Sequence, residues 1–193
     1  MKYLREVRKK FGDKPAFTAR DLKNLLREKG ATNQYIQLLT HNLRKTGELK
    51  RITRGTYTFR DESQTVGFAF QPFYYGLQDA LSLHNLWEQE TNPVVITPRK
   101  IRPGTRKFQE TNYSVRHVSR KMFFGFEPMK YYDLWIPVST PEKTLIDFAW
   151  FKQKLLKETL DEIKPRIRRE ILEEYLKRVP RLRKQVEKLL ASH

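Results

Sequence analysis

Apolar residues recur along the first sixty positions with helical spacing and then switch to alternation. Residues 3–11 read as a short basic helix, ended by Gly12 and the turn at Pro15. Thr18 is placed to cap a second helix over 19–28, with Asp21 as the reciprocal member of a capping box and Phe17 stapled onto Leu22. Gly30 stops that helix. Thr32 caps a third, from Asn33 to Thr46, whose Ile36, Leu39 and Leu43 form one buried stripe. After Gly47 the pattern changes. Leu49-Lys50-Arg51-Ile52-Thr53, the turn Arg54-Gly55 and Thr56-Tyr57-Thr58-Phe59 alternate as a two-stranded hairpin.

Three helices followed by a hairpin, with a short turn between the second and third, predict a winged helix-turn-helix. In that arrangement the third helix enters the major groove and the hairpin lies on the DNA backbone. The helical wheel places Gln34, Gln37, Leu38, His41 and Lys45 opposite the buried stripe. Glutamine pairs bidentately with adenine edges, and His41 and Lys45 suit guanine or phosphate. Residues 33–46 contain no acid, whereas a merely solvated helix face usually carries glutamate. With Thr32 and Asn33 at the helix start and Lys50, Arg51 and Arg54 on the hairpin, these ten residues are the expected DNA-binding set. A scaffold used for protein contacts is the alternative.

The chain divides into residues 1–62, a middle block over 67–154 and a tail over 155–193, with 61–66 read as a linker. In the middle block an aromatic stretch, Phe68 to Tyr75, leads into an amphipathic helix over 76–87, with His84 on its apolar face as a hydrogen-bonded core residue. Strands follow at 93–97, 113–119 and 134–138. A helix then opens on a Ser139-Thr140-Pro141-Glu142 box and runs to Phe151. Glu142 serves there as the capping carboxylate, and Asp147 is structural, with Lys143 pairing with them or snorkelling outward. The tail is helical, cut by Pro165 and Pro180, with apolar stripes at Ile167, Ile171, Leu172, Tyr175 and Leu176 and at Leu182, Val186, Leu189 and Leu190. Those stripes pack on the middle block or form a homodimer or toxin contact. The fold class is therefore α+β: an N-terminal winged helix-turn-helix, a compact α+β domain and a helical C-terminal tail.

Composition narrows the chemistry. The 193 residues include 39 Lys and Arg against 22 acids, a net charge of +17, which points to a polyanionic partner. The charge sits at the ends: 16 bases against 7 acids in residues 1–62, 10 against 8 in 63–151, and 13 against 7 in 152–193. A solvated, ion-rich surface is the bland alternative for the tail. Arg99, Lys100, Arg102, Arg106 and Lys107 form a basic loop over 99–107, which holds DNA flanks or RNA or is simply solvated. Cysteine is absent, which excludes disulfides and thiolate chemistry. His41, His117 and His193 lack metal spacing. No apolar run approaches the ~18–20 residues of a membrane span, and the charged start is not a secretory signal, so a cytoplasmic protein is expected. No cofactor, metal site or catalytic residue is expected. A metal-dependent nuclease would need clustered carboxylates, for which Glu142 and Glu162 are the nearest candidates.

Beyond these patterns, Tyr75-Gly76-x-x-x-Ala80-Leu81-x-Leu83-His84-x-Leu86, the strand ending in Ile96-Thr97, Phe123-Phe124-Gly125 and Pro141-Glu142-Lys143-Thr144-Leu145-Ile146-Asp147 resemble the AbiEi family. The likeness spans residues 15–155 and does not include the basic tail. That family comprises the antitoxins of type IV abortive-infection toxin–antitoxin systems. The resemblance implies a DNA-binding repressor of its own operon, encoded beside a nucleotidyltransferase-like toxin. The alternative from the residues alone is a non-specific DNA- or RNA-binding protein using the loop at 99–107 and the tail.

Overall fold

Tyr3 anchors the first helix, α1 (Leu4–Phe11), by donating its hydroxyl hydrogen to the Lys29 carbonyl at 2.7 Å, and its ring meets Tyr35 edge-on at 5.7 Å. The computed structural model describes residues 2–87, 89 and 91–191, so His193 lies outside the described residues. A two-residue strand, β1 (Phe17–Thr18), runs directly into α2 (Ala19–Glu28), and α3 (Asn33–Lys45) follows after a turn in which Gly30 takes φ 80°. Both caps form as the sequence requires: Thr18 and Asp21 exchange side-chain and backbone hydrogen bonds, and Thr32 Oγ1 accepts from the Tyr35 amide at 3.2 Å. Strands β2 (Lys50–Thr53) and β3 (Thr56–Thr58) make the hairpin, and β1 pairs with β3 to give a three-stranded sheet in the order β1-β3-β2. Two residues carry too little pattern to announce β1 in sequence.

Val7, Phe11, Phe17, Leu22, Leu26, Ile36, Leu39, Leu43 and Leu49 close into one buried cluster, drawn from all three helices, the strand that precedes α2 and the residue just before β2. Phe11 stacks on Phe17 with ring centroids 4.3 Å apart, and Phe17 in turn stacks on Phe59 at 5.5 Å. Residues 61–66 are not the linker that their polarity suggests. From Ser63 to Phe70 the chain forms a 3₁₀ helix in which Gln64, Thr65, Val66 and Gly67 are buried. Ser63 donates to the Gln64 side-chain oxygen at 2.6 Å and the Thr65 hydroxyl donates to the Glu62 carbonyl at 2.7 Å, so these polar side chains have partners inside the fold.

Contacts divide the chain into two units, Met1–Gln71 with Arg106–Tyr113, and Pro72–Thr105 with Ser114–His193. The second holds β4 (Tyr74–Tyr75), α4 (Leu77–Leu83), β5 (Val94–Thr97), most of β7 (Thr111–His117), β8 (Phe126–Tyr131), β9 (Leu134–Ser139) and the helices α5 (Pro141–Trp150), α6 (Lys157–Ile163), α7 (Arg169–Arg178) and α8 (Arg183–Ala191). With β6 (Gly104–Phe108) the strands are ordered β6-β7-β5-β4-β9-β8, mixed in direction: β5 runs parallel to β7 and β4 to β9, while β4 and β5, and β8 and β9, are antiparallel. Strands β4, β6 and β8 go beyond the three that alternation predicts. The helix expected over 76–87 ends at Leu83, because Asn85 turns left-handed at φ 57°.

Pro128 lies opposite Pro137 in the β8–β9 hairpin. Neither has an N–H, so this pair occupies a non-hydrogen-bonded site of the ladder and Pro128 presents no donor along the outer edge of β8. An edge strand broken in this way resists pairing with another chain.

The tail belongs to the core of the second unit. Leu160, Ile163, Leu172, Leu176, Val179, Leu182 and Val186 are buried in one cluster with Tyr74, Ile96, Leu145 and Phe148. Cations finish the packing, with Arg178 over the Phe124 ring at 5.4 Å and Arg181 over Trp150 at 5.2 Å. The apolar stripes are thus used within the chain.

Candidate nucleic-acid interface

The α3 surface is built on the buried stripe Ile36, Leu39 and Leu43, which fixes the rotation of the helix and turns the opposite side outward. On that side Gln34, Gln37, Leu38, His41, Arg44 and Lys45 are exposed. None of Gln34, Gln37, His41 or Lys45 has its side chain engaged in a hydrogen bond or ion pair among the described residues. The helix contains no acid, and the first acid after it, Glu48, is held bidentately by Arg8 at 2.5 and 2.8 Å. Donors and cations therefore face solvent without a carboxylate to neutralise them.

Two of the expected contact residues are partly committed elsewhere. Thr32 spends its hydroxyl oxygen on the helix cap, and Asn33 accepts from Arg27 Nη2 at 3.1 Å. On the hairpin, Lys50 is folded back: its Nζ donates to the Phe59 carbonyl at 3.0 Å and pairs with Asp61 at 2.8 Å. Arg51 and Arg54 are exposed, with Arg51 Nε touching the Thr53 carbonyl at 3.3 Å. Gly55, at φ 76°, makes the tight turn that carries Arg54.

Beside the helix a shallow groove of about 310 Å³ is lined by Gln37, Thr40, His41 and Arg44 of α3, Lys23 of α2 and Tyr57 of β3. Arg44 was not among the residues that the sequence singles out. It flanks Gln37 on the helical wheel, so a wider arc drawn around the stripe identifies it.

The basic segment 99–107 does not behave as one loop. Its end is strand β6, and the boundary between the units falls at Thr105 and Arg106. Arg99, Lys100 and Arg102 are exposed in the second unit. In the first unit Arg106 is half-buried over the Phe70 ring at 5.0 Å, and Lys107 stands 3.5 Å from Glu110. The Tyr113 hydroxyl donates to the Ile52 carbonyl at 2.7 Å, and burial raises it above its ordinary value while the Arg106 charge partly offsets the rise.

Of the two carboxylates nearest to what a nuclease would need, Glu162 is exposed on α6, whereas Glu142 is tied into the fold. Thr140, not Ser139, caps α5, accepting from the Lys143 amide at 3.3 Å, and Pro141 fills the first helical position. Glu142 is instead buried against the tail, accepting from the Arg168 amide at 2.9 Å and its Nε at 3.0 Å. Burial pushes the Glu142 carboxyl up, but its hydrogen-bond donors taken together, Arg168 foremost, hold the group below its ordinary value. Lys143 does not snorkel. It is wholly buried, ion-paired with Asp147 and donating to the Tyr74 hydroxyl at 2.9 Å, while Tyr74 donates to Asp147 at 3.0 Å. Burial lowers the Lys143 ammonium and raises the Asp147 carboxyl, each partly offset by the other's charge. His84 meets the Ser139 carbonyl at 2.8 Å. Among the described residues no three His, Asp or Glu side chains gather as a metal ion requires, and no helix is long and apolar enough to cross a membrane.

Compared with protein-family models and with curated proteins, the chain matches none. The AbiEi-like motifs therefore rest on the residues themselves, and in this structure they are mostly core positions. Tyr75, Ala80, Leu81, Ile96, Thr97 and the whole run from Glu142 to Asp147 are buried.

Proposed function

We propose that this chain is a DNA-binding transcriptional regulator, a winged helix-turn-helix protein in which α3 reads bases and Arg51 and Arg54 of the hairpin lie on phosphates. By the motif resemblance it acts as the antitoxin of a type IV toxin–antitoxin system and represses its own operon. The observation that carries the reading is the outward face of α3. It combines two free glutamines, a histidine and a lysine with no acid, on a helix held rigidly by caps and a buried stripe. Base readout demands side chains at fixed positions, and nothing in a merely solvated face calls for excluding carboxylates. The cations of the second unit, Arg99, Lys100 and Arg102, add a sequence-independent attraction for phosphate.

The test is binding of the full chain to duplex DNA from its own upstream region against shuffled DNA of equal length, titrated across salt. The reading expects a preference of ~10³-fold or more that survives moderate salt. Equal, salt-sensitive binding to both duplexes overturns it and assigns the function to the basic surface alone.

A further inference from the structure

Leu38 is the one exposed position of α3 that neither the core nor the polar character of the face explains. It is 57% exposed and stands outside the buried stripe. One turn after Gln34 and three residues before His41, it is embedded among the donor side chains. The other large apolar side chains exposed among the described residues are Tyr132, Trp135 and Leu156, all in the second unit. Leu38 is therefore a solitary apolar contact in a polar, acid-free field. A protein-docking surface is instead a contiguous apolar patch.

The major groove has one apolar feature to offer such a residue, the C5-methyl group of thymine. Glutamine fits the N6 and N7 edge of adenine, which is thymine's partner. Both chemistries on this face select the same base pair. We propose that the part of α3 around Leu38 selects A·T pairs, with Leu38 packing on a thymine methyl and Gln34 and Gln37 addressing adenine edges, while His41 and Lys45 are left to guanine or phosphate. The proposal rests on the reading of α3 as the base-contacting helix. It also gives the protein a way to reject RNA, since uracil lacks the methyl group and the deep, narrow major groove of an A-form duplex does not admit a helix.

The experiment starts from a pool of random duplexes, from which the full chain selects its preferred sequence over repeated rounds. Each thymine of that sequence is then replaced singly by deoxyuridine, which removes the methyl and leaves base pairing intact. Wild-type protein is expected to lose about fourfold in affinity at one or two positions, the equivalent of one buried methyl. Leu38→Ala should bind the thymine duplex at least as weakly and show no further loss on uracil substitution there. Circular dichroism checks that this exposed substitution leaves the fold intact. A selected sequence whose uracil variants all bind wild type equally, or a Leu38→Ala protein that keeps the full uracil penalty, overturns the inference while leaving α3 as a base reader. Selection that returns no preferred sequence overturns both.

Discussion

Lys143 and Asp147, one helical turn apart on α5 and both wholly buried, form an ion pair that the Tyr74 hydroxyl completes by accepting from the lysine and donating to the carboxylate. The aromatic rings of Tyr74 and Phe124 lie under the ammonium, each with its centroid 5.1 Å away. Two charges taken out of water gain back their desolvation cost only while every partner is present.

Removing one partner should therefore be worse than removing both. Asp147→Ala is expected to cost ~3–5 kcal/mol by stranding the ammonium, and the double change Lys143→Met with Asp147→Leu should recover most of that loss. Urea midpoints of the two proteins decide the point. A double variant no more stable than Asp147→Ala would show that the pair is net stabilising.

Glu142 links α5 to the tail through Arg168. Because the folded protein holds this carboxyl below its ordinary value, the contribution is present at pH above that value, ~4.3, and is lost as pH falls through the lower folded pKa. Wild type should lose stability between pH 5 and acid more steeply than Glu142→Gln does. Urea titrations at a series of pH values test this, and parallel curves for the two proteins would contradict it.

Gly125 sits at φ 72°, and a Cβ there would lie 2.9 Å from both Lys143 Cβ and Tyr175 Cε2. Gly125→Ala combines a left-handed backbone with a clash between a core helix and the tail, so it should destabilise by more than ~1 kcal/mol. The thermal midpoint of that variant, set beside that of Gly47→Ala, separates the effects. Gly47 is equally left-handed but has nothing within 4 Å, so it shows strain alone.

On α3, Gln37→Ala and His41→Ala should each cost ~1–3 kcal/mol against the preferred duplex and little against random DNA. Arg51→Ala and Arg54→Ala should weaken binding to both alike and reduce the salt slope by about one phosphate contact each. Fluorescence anisotropy at four salt concentrations distinguishes the two groups. Equal losses on both duplexes for Gln37→Ala would count against base readout.

The first unit was largely legible in sequence because its information is local. Thr18, Asp21, Thr32 and the stripe Ile36, Leu39 and Leu43 act within a few residues of themselves, and capping and helical periodicity follow directly from residue type. The same stripe determined which side of α3 faces outward. Tertiary structure decided what depends on distant partners. Lys50 left the expected phosphate-contact set because Asp61 and the Phe59 carbonyl lie within its reach, and Glu142 ceased to be a cap because Arg168, 26 residues on, supplies its donors. The buried Lys143 and Asp147 were visible as charges on an apolar helix, but Tyr74 completes them across 73 residues of chain. Two-residue strands such as β1 and β4 carry no period to detect, and their pairing is set by the strands they join. The tail's apolar stripes announced that they would be buried. Only the packed core shows that they are buried within this chain, because burial is fixed by the residue and its partner by the fold.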